Sequence, residues 1–222
     1  MHDGKSSAAK RSFVIGIAGI SGSGKSSIAR ALATELKSAC VVELDSYYHD
    51  LSHLPMGERE LQNFDHPEAL DSASLIADIA MASRGEPICC PEYNFATHTR
   101  TGNGKQFEAQ EFLIVEGLFT LHWPELRQTL GAKIFVDIAR EMAFERRLRR
   151  DIRDRGRTPE SVREQYEKNV WPMAEEFVLP SRAHAELVVS GSALLQDSVR
   201  QIFELVERRR SELRSSAANQ NR

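Results

Sequence analysis

Cysteine is scarce in this sequence, and its placement excludes a disulfide framework. Only three cysteines occur among 222 residues, and two of them, Cys89 and Cys90, are adjacent. An odd count with two neighbours does not fit the paired pattern of a small secreted domain, and no C-x-x-C spacing indicates a zinc site. We therefore expect Cys89 and Cys90 to be buried strand residues and the protein to be cytoplasmic.

Long hydrophobic runs and a strong net charge are also lacking. The apolar stretch 13–20 is interrupted by Gly16 and Gly19, well short of the roughly 20 residues that a membrane helix needs. We predict neither a membrane span nor a signal peptide. The 29 basic and 32 acidic residues leave a net charge of −3, so no overall basic field favours nucleic acid or a membrane as partner.

Short apolar runs separated by helical patterns predict an α/β fold. Helical periodicity is clear at Ile28, Leu32 and Leu36, which recur every four residues. Strands that alternate with helices favour a parallel sheet with helices on both faces. The predicted strands cover residues 13–18, 40–44, 112–115, 134–136 and 187–189.

The domain organisation is predicted to be simple. We expect one domain over residues 12–214, between disordered tails at 1–11 and 215–222. Two long connections, 47–64 and 87–105, lack clear periodicity, and such segments are usually functional or mobile.

Residues 19–26, GISGSGKS, match the pattern G-x-x-x-x-G-K-[ST], a loop whose backbone N–H groups hold phosphates. The loop follows a predicted strand and precedes a predicted helix, as its mechanism requires. Lys25 can bridge the β- and γ-phosphates, and Ser26 can ligate Mg²⁺. No N-K-x-D pattern indicates guanine, so ATP is the simpler expectation. The predicted phosphate-binding residues of this loop are Gly19, Ser21, Gly22, Ser23, Gly24, Lys25, Ser26 and Ser27.

Two carboxylates follow strand-like runs and complete the expected chemistry. Asp45 comes after the second predicted strand and Glu116 after the third. Both should lie at the carboxyl edge of the sheet, where open α/β folds bind ligands. Phosphoryl transfer needs a residue that positions or deprotonates the acceptor and a carboxylate near the metal, so these two residue types fit.

Positive charge is concentrated in residues 140–157, which hold eight arginines and four acidic residues. Gly156 predicts a helix stop, and Thr158 with Pro159 predicts a new helix start. The segment from about 140 to 170 is therefore expected to form a helical lid. Arginines on such a lid can neutralise a phosphoryl group during its transfer.

At this point the sequence resembles the uridine–cytidine kinase family of P-loop kinases, which are related to phosphoribulokinase. The resemblance runs from about Phe13 to Val189 and implies a P-loop NTPase-type sheet, the arginine-rich lid and a small nucleoside-binding β insertion. It rests on nine motifs in family order: GISGSGKSS, DSYYHDLS, NFDHPEALD, PEYNFATHTR, IVEGLF, KIFVDI, RRLRRDIRDRGR, QYEKNVWPM and LPSRAHAELVV.

The resemblance also implies a role for each matching residue. Asp45 resembles the catalytic base for a nucleoside 5′-hydroxyl, with Lys25 and Arg150 as further catalytic groups. Glu116 and Ser26 resemble the metal side of the site. Arg150 and Arg155 resemble phosphate contacts. The residues that resemble the nucleoside contacts are Tyr48, Phe64, Asp65, Tyr93, Phe95, His98, Arg147, Arg157 and Gln165.

Within that nucleoside set, the resemblance assigns Asp65 and Arg147 to the ribose hydroxyls. Tyr93 and Phe95 would flank the pyrimidine, and His98 would contact its 4-position. Either tautomer of histidine can serve there, so uridine and cytidine are both expected as substrates.

The expected function is ATP- and Mg²⁺-dependent phosphorylation of uridine, and of cytidine, at the 5′-hydroxyl, and the resemblance implies a homotetramer. One alternative is a kinase of the same fold that acts on another hydroxylated metabolite, such as a sugar phosphate or a pantothenate-like acid. Another is a non-catalytic protein that senses ATP or binds nucleic acid through its arginines.

Overall fold

The computed structural model describes residues 11–220, without the side chains of Asn103 and of residues 217–220. In chain order the strands and α-helices are β1 (Phe13–Gly19), α1 (Lys25–Glu35), β2 (Ala39–Glu43), α2 (Met56–Glu60), α3 (Ser72–Ser83), β3 (Ile88–Asn94), β4 (Thr99–Phe107), β5 (Phe112–Glu116), α4 (Pro124–Thr129), β6 (Ala132–Asp137), α5 (Arg140–Arg155), α6 (Pro159–Gln165), α7 (Trp171–Met173), β7 (Leu187–Ser190) and α8 (Leu195–Gln220).

Five of the strands form a parallel sheet in the order β2-β5-β1-β6-β7. The central strand, β1, pairs with β5 on one side and with β6 on the other, so that Ile17 lies beside Glu116 and beside Ile134. These strands lie where the apolar runs predicted them. The α/β prediction is confirmed.

Helices cover both faces of the sheet, which explains why its strands are apolar on both sides. On one face, Ile15 and Ile114 pack with residues of α1 and α8 such as Leu32 and Ile202. On the other face, Leu113 and its neighbours pack with α3 and α4. No helix within residues 11–220 is long and apolar enough to cross a membrane.

Strands β3 and β4 form the predicted β insertion, an antiparallel hairpin apart from the main sheet. Arg100 on β4 anchors the hairpin to the segment after β2. Its Nε donates to the carbonyl oxygen of Tyr48 at 2.9 Å, and its Nη2 donates to that of Tyr47 at 3.0 Å. The hairpin is thereby held next to Asp45.

The arginine-rich segment is helical, as predicted. Helix α5 ends at Gly156, whose φ of 62° lies in the left-handed region that glycine tolerates. Helix α6 begins after Thr158, whose side chain accepts the N–H of Ser161. A continuous helical run follows as far as His184, in which α7 is flanked by π-helical turns.

Two sequence predictions are wrong. The disordered tail predicted from residue 215 is helical through Gln220, where the hydroxyls of Ser215 and Ser216 donate to carbonyl oxygens four residues earlier instead of breaking the helix. Cys90 is buried, but Cys89 is exposed because successive strand residues face opposite sides. The tail predicted at 1–11 and the last two residues lie outside the described residues, apart from Arg11.

Candidate active site

The phosphate loop joins the end of β1 to the start of α1. Gly22 and Gly24 have φ angles of 84° and 95°, which residues with a Cβ rarely adopt. Gly24 is the N-cap of α1, and its carbonyl oxygen accepts the N–H of Ile28 at 3.1 Å. The unsatisfied N–H groups at this helix start favour an anion in the loop.

Helix α5 packs directly on the phosphate loop. A Cβ atom on Gly22 would lie 2.3 Å from the carbonyl oxygen of Ala143, which is a backbone atom of α5. Arg146 on the same helix donates through Nη1 to the carbonyl oxygens of Gly191, at 2.9 Å, and Ser23, at 3.4 Å. The start of the lid is therefore held against the loop.

Asp45 lies in a 3₁₀ turn directly after β2, at the carboxyl edge of the sheet. It forms part of the wall of the cavity that Lys25 also lines. Burial raises the pKa of Asp45, while the positive charges of Lys25, Arg155 and Arg150 oppose that rise. The carboxylate is thus a stronger base than an exposed aspartate, and nearby cations stabilise its ionised form.

Glu116, the last residue of β5, lies at the same edge and is almost fully buried. Its Oε2 atom has no hydrogen-bond partner among the described residues. Burial raises the pKa of Glu116, against the charge of Lys25 and a hydrogen bond with Ser26. A buried carboxylate oxygen without a partner, beside a serine hydroxyl, suits a hard cation such as Mg²⁺, which uses one or two carboxylates together with substrate phosphates.

Aromatic rings form one wall of the same cavity. Tyr48 donates its hydroxyl to the carbonyl oxygen of Phe64 at 2.9 Å, and its ring lies 5.3 Å from that of Tyr93. Phe95 contacts Tyr93 edge to face at 5.3 Å. His98 stacks on Phe64, with ring centroids 4.5 Å apart. The wall therefore offers π-faces to a planar ligand.

Two polar atoms in this wall lack partners among the described residues: the hydroxyl of Tyr93 and Nδ1 of His98. Burial lowers the pKa of His98, and the charge of Arg157 adds to this effect, so the imidazole is neutral at pH 7. Burial raises the pKa of Tyr93 to about 12. A neutral imidazole and a phenol can each donate or accept a hydrogen bond.

Asp65 and Arg147, which line the same cavity, form a buried ion pair. The exposed fraction is 6% for Asp65 and 5% for Arg147. Nη1 of Arg147 lies 3.2 Å from Oδ1 of Asp65 and donates to Oγ of Ser21 at 2.9 Å. Nη2 donates to Oε1 of Gln165 at 3.2 Å, and Arg157 also donates to that oxygen. Arg147 therefore connects α5 with Ser21 of the phosphate loop, with Asp65 and with Gln165.

A cavity of about 880 Å³ brings most of the predicted residues together. The predicted residues that line it are Ser21, Lys25, Asp45, Tyr48, Phe64, Asp65, Tyr93, Phe95, His98, Arg147, Arg150, Arg155, Arg157 and Gln165. The predicted residues that do not line it are Gly19, Gly22, Ser23, Gly24, Ser26, Ser27 and Glu116.

Sequence reasoning missed the part of the wall that α2 and the segment after it supply. Met56, Glu60, Leu61 and Gln62 line the cavity, yet they lie in a connection without motif or periodicity. Leu118 also lines it, two residues after Glu116. Its position at the end of β5 could have identified it, because that edge was already expected to hold the site.

The comparison with solved structures finds this architecture in kinases. Phosphoribulokinase from Rhodobacter spheroides aligns with a TM-score of 0.62 at 16% identity, over 83% of this chain and 74% of that one. D-glycerate 3-kinase from Cryptococcus neoformans var. grubii aligns with a TM-score of 0.60 at 15% identity, over 82% and 87%. At such identities the likeness establishes the fold alone.

The chain belongs to the phosphoribulokinase/uridine kinase family, whose sequence model matches residues 14–194. A uridine kinase of Aliivibrio fischeri (strain MJ11) is 42% identical over 183 residues, which cover 80% of this chain and 85% of the relative. A uridine kinase of Chloroflexus aurantiacus (strain J-10-fl) is 42% identical over 181 residues, 81% of this chain and 87% of the relative. The resemblance found in the sequence is confirmed.

Proposed function

We propose that this protein transfers the γ-phosphoryl group of ATP to the 5′-hydroxyl of uridine, and also of cytidine. The observation that carries the proposal is that one cavity joins Lys25 of the phosphate loop to Asp45, the aromatic wall and the buried Asp65. Relatives named uridine kinase at 42% identity support the same substrate class.

Asp45 is proposed as the general base. Its pKa is raised by burial, so it accepts a proton more readily than an exposed aspartate does, while the charges of Lys25, Arg155 and Arg150 favour its ionised form. The proton of the 5′-hydroxyl passes to the Asp45 carboxylate as the hydroxyl oxygen bonds to the γ-phosphorus. The bond from that phosphorus to the β,γ-bridging oxygen breaks, and ADP leaves with the bond's electron pair. Lys25 and Arg150 are proposed to neutralise the charge of the transferred group, and Arg155 to contact the phosphates.

Asp65 and Arg147 are proposed to bind the ribose. Asp65 offers carboxylate oxygens that accept hydrogen bonds from vicinal hydroxyls, and Arg147 holds that carboxylate at 3.2 Å. A site built to bind a hydroxyl disfavours the analogue that lacks it, because buried polar atoms are then left unpaired. We therefore expect 2′-deoxyuridine to be a poor substrate.

The base is proposed to lie against Tyr93 and Phe95, near His98 and Arg157. His98 is neutral, and its Nδ1 has no partner among the described residues, so the tautomer can adjust to the ligand. One tautomer donates to the 4-oxygen of uracil, and the other accepts from the 4-amino group of cytosine. This is why both pyrimidine nucleosides are included.

Ser26 and Glu116 are the residues that would hold Mg²⁺. A bound Mg²⁺ neutralises phosphate charge during phosphoryl transfer. Within residues 11–220 no cluster of three or more His, Cys, Asp or Glu side chains forms a metal site of its own. That composition suits an ion that arrives with the nucleotide and takes most of its ligands from phosphates and water.

The test is a coupled assay of ADP release with uridine, cytidine, 2′-deoxyuridine, adenosine and ribulose 5-phosphate. We expect turnover with uridine and cytidine. Asp45→Asn should reduce turnover about 10²- to 10⁴-fold, the range for loss of a general base, and leave ATP binding nearly unchanged. Turnover of ribulose 5-phosphate, without turnover of any nucleoside, would instead identify the acceptor as a sugar phosphate. Full activity of Asp45→Asn would refute the assignment of the base.

A further inference from the structure

Asp151, in the fourth turn of α5, is a buried carboxylate that the proposed mechanism does not use. Its side chain is fully buried, with an exposed fraction of 0%. Three guanidinium groups of the lid surround it. Oδ1 accepts Nε–H of Arg150 at 2.9 Å and lies 3.5 Å from Nη1 of Arg155, while Oδ2 lies 3.5 Å from Nε of Arg147.

The backbone of Asp151 also closes the end of the helix. Its carbonyl oxygen accepts the N–H of Gly156 and, at 3.2 Å, the N–H of Arg157. One residue therefore contacts Arg147, Arg150 and Arg155 through its side chain and the segment of Arg157 through its backbone. These are the four lid arginines that line the cavity.

Two physical consequences follow from this arrangement. Guanidinium groups held close together repel one another, and a buried carboxylate among them offsets that repulsion before any phosphate is bound. In addition, Asp151 accepts a hydrogen bond from Nε of Arg150, which fixes one edge of that planar guanidinium and thereby orients its other edge. The contact with Arg147 is an ion pair of 3.5 Å, and neither Nε of Arg147 nor Oδ2 of Asp151 has a hydrogen-bond partner among the described residues. Nη1 and Nη2 of Arg147 are directed at Ser21, Asp65 and Gln165.

We propose that Asp151 is a positioning residue that orients the lid arginines for phosphoryl transfer before the substrates bind. It acts through Arg147, Arg150 and Arg155 and touches no substrate itself. The inference rests on the proposed function, because it assigns to these arginines the neutralisation of the transferred group. A preorganised donor set needs no rearrangement at the moment of reaction, which is where its catalytic value lies.

The first test is Asp151→Asn, assayed in the full chain at a temperature well below its unfolding transition. Misdirected arginines should reduce kcat about 100-fold, the scale for loss of one oriented donor. If Asp151 acted through its net charge alone, the substitution would lower KM for ATP, because it would remove a negative charge beside the phosphates. The expected signature is therefore a fall in kcat without a fall in that KM.

Glu145→Gln is the matched control. It makes the same change of charge on the same helix, at an exposed residue paired with the exposed Arg149. We expect wild-type kcat from this variant. A folded Asp151→Asn protein whose kcat lies within about threefold of wild type would overturn the proposal. Such a result would mean that the substitution removes no interaction made in the transition state.

The second test needs no Asp151 variant and decides the matter if Asp151→Asn does not fold. In the ligand-free protein, the Nε–H proton of Arg150 should give a protected ¹⁵N–¹H signal at neutral pH, assigned through its loss in Arg150→Lys. Arg149, whose side chain is 79% exposed, is the internal control and should exchange rapidly. Equal, rapid exchange at both arginines would overturn the proposal. Because this readout involves no turnover, it stands even where every nucleoside proves inactive and the proposed function fails.

Discussion

Substitution of Gly22 by alanine tests the close contact between the phosphate loop and the lid. Gly22 has a φ of 84°, and a Cβ atom there would lie 2.3 Å from the carbonyl oxygen of Ala143 and 3.0 Å from its carbonyl carbon. Both obstructing atoms belong to the backbone of α5, so no side-chain rotation relieves the overlap. Either the loop must change its path or the helix must move away.

The expected cost has two parts. The left-handed conformation costs an alanine about 1–2 kcal/mol, and forced overpacking adds about 1–3 kcal/mol. Together they amount to about 2–5 kcal/mol, which for a chain of this size lowers the melting temperature by about 4–20 °C. A displacement of about 1 Å in the phosphate loop should also reduce kcat about 10²-fold.

Thermal unfolding followed by circular dichroism and the coupled kinase assay measure the two effects. Gly57→Ala is the matched control, because a Cβ on Gly57 in α2 meets nothing within 4 Å. That variant should be unchanged or more stable by about 0.5–1 kcal/mol, since alanine is the better helix former. A Gly22→Ala protein with wild-type melting temperature and kcat would refute the close packing of α5 on the loop.

Two further predictions concern the carboxylates. Asp65→Asn removes the nearer of the two carboxylates beside the buried Arg147 and leaves only Asp151. Urea unfolding should therefore show a loss of at most about 3–5 kcal/mol, the cost of a fully unpaired buried charge. The ratio of kcat/KM for uridine over 2′-deoxyuridine should also fall; an unchanged ratio would contradict the ribose role. Because burial raises the pKa of Asp45, the acid limb of kcat/KM should lie above the usual range of an aspartate. A folded pKa above the unfolded one means that ionisation opposes folding, so Asp45→Asn should melt above wild type at pH 7. The difference should shrink once the pH falls below the folded pKa and vanish below the unfolded pKa, where the carboxyl group is protonated in both states; an equal or lower melting temperature at pH 7 would contradict it.

The amino-acid sequence by itself determined the phosphate loop, the five strands of the main sheet and the helices of the arginine-rich segment. Each depends on neighbours along the chain. The glycines of residues 19–24 allow a local path that other residues resist, the run FLIVE of β5 suits a strand buried on both faces, and Gly156 ends a helix wherever it folds. For the nucleoside contacts, local patterns were insufficient, and family resemblance was needed to single out Tyr93 or His98 from ordinary hairpin residues.

Only the tertiary structure decided which side chains share an environment. In the sequence, Asp151 resembles any acidic residue of a charged helix, and only the folded structure buries it among three arginines. No sequence pattern marks Met56 of α2 as a site residue, yet the fold places it in the cavity wall. The tail from residue 215 shows the same limit, because its composition permits both coil and the helix that continues α8. The physical reason is that burial and the approach of charges depend on contacts between residues far apart in the chain, which no local pattern contains.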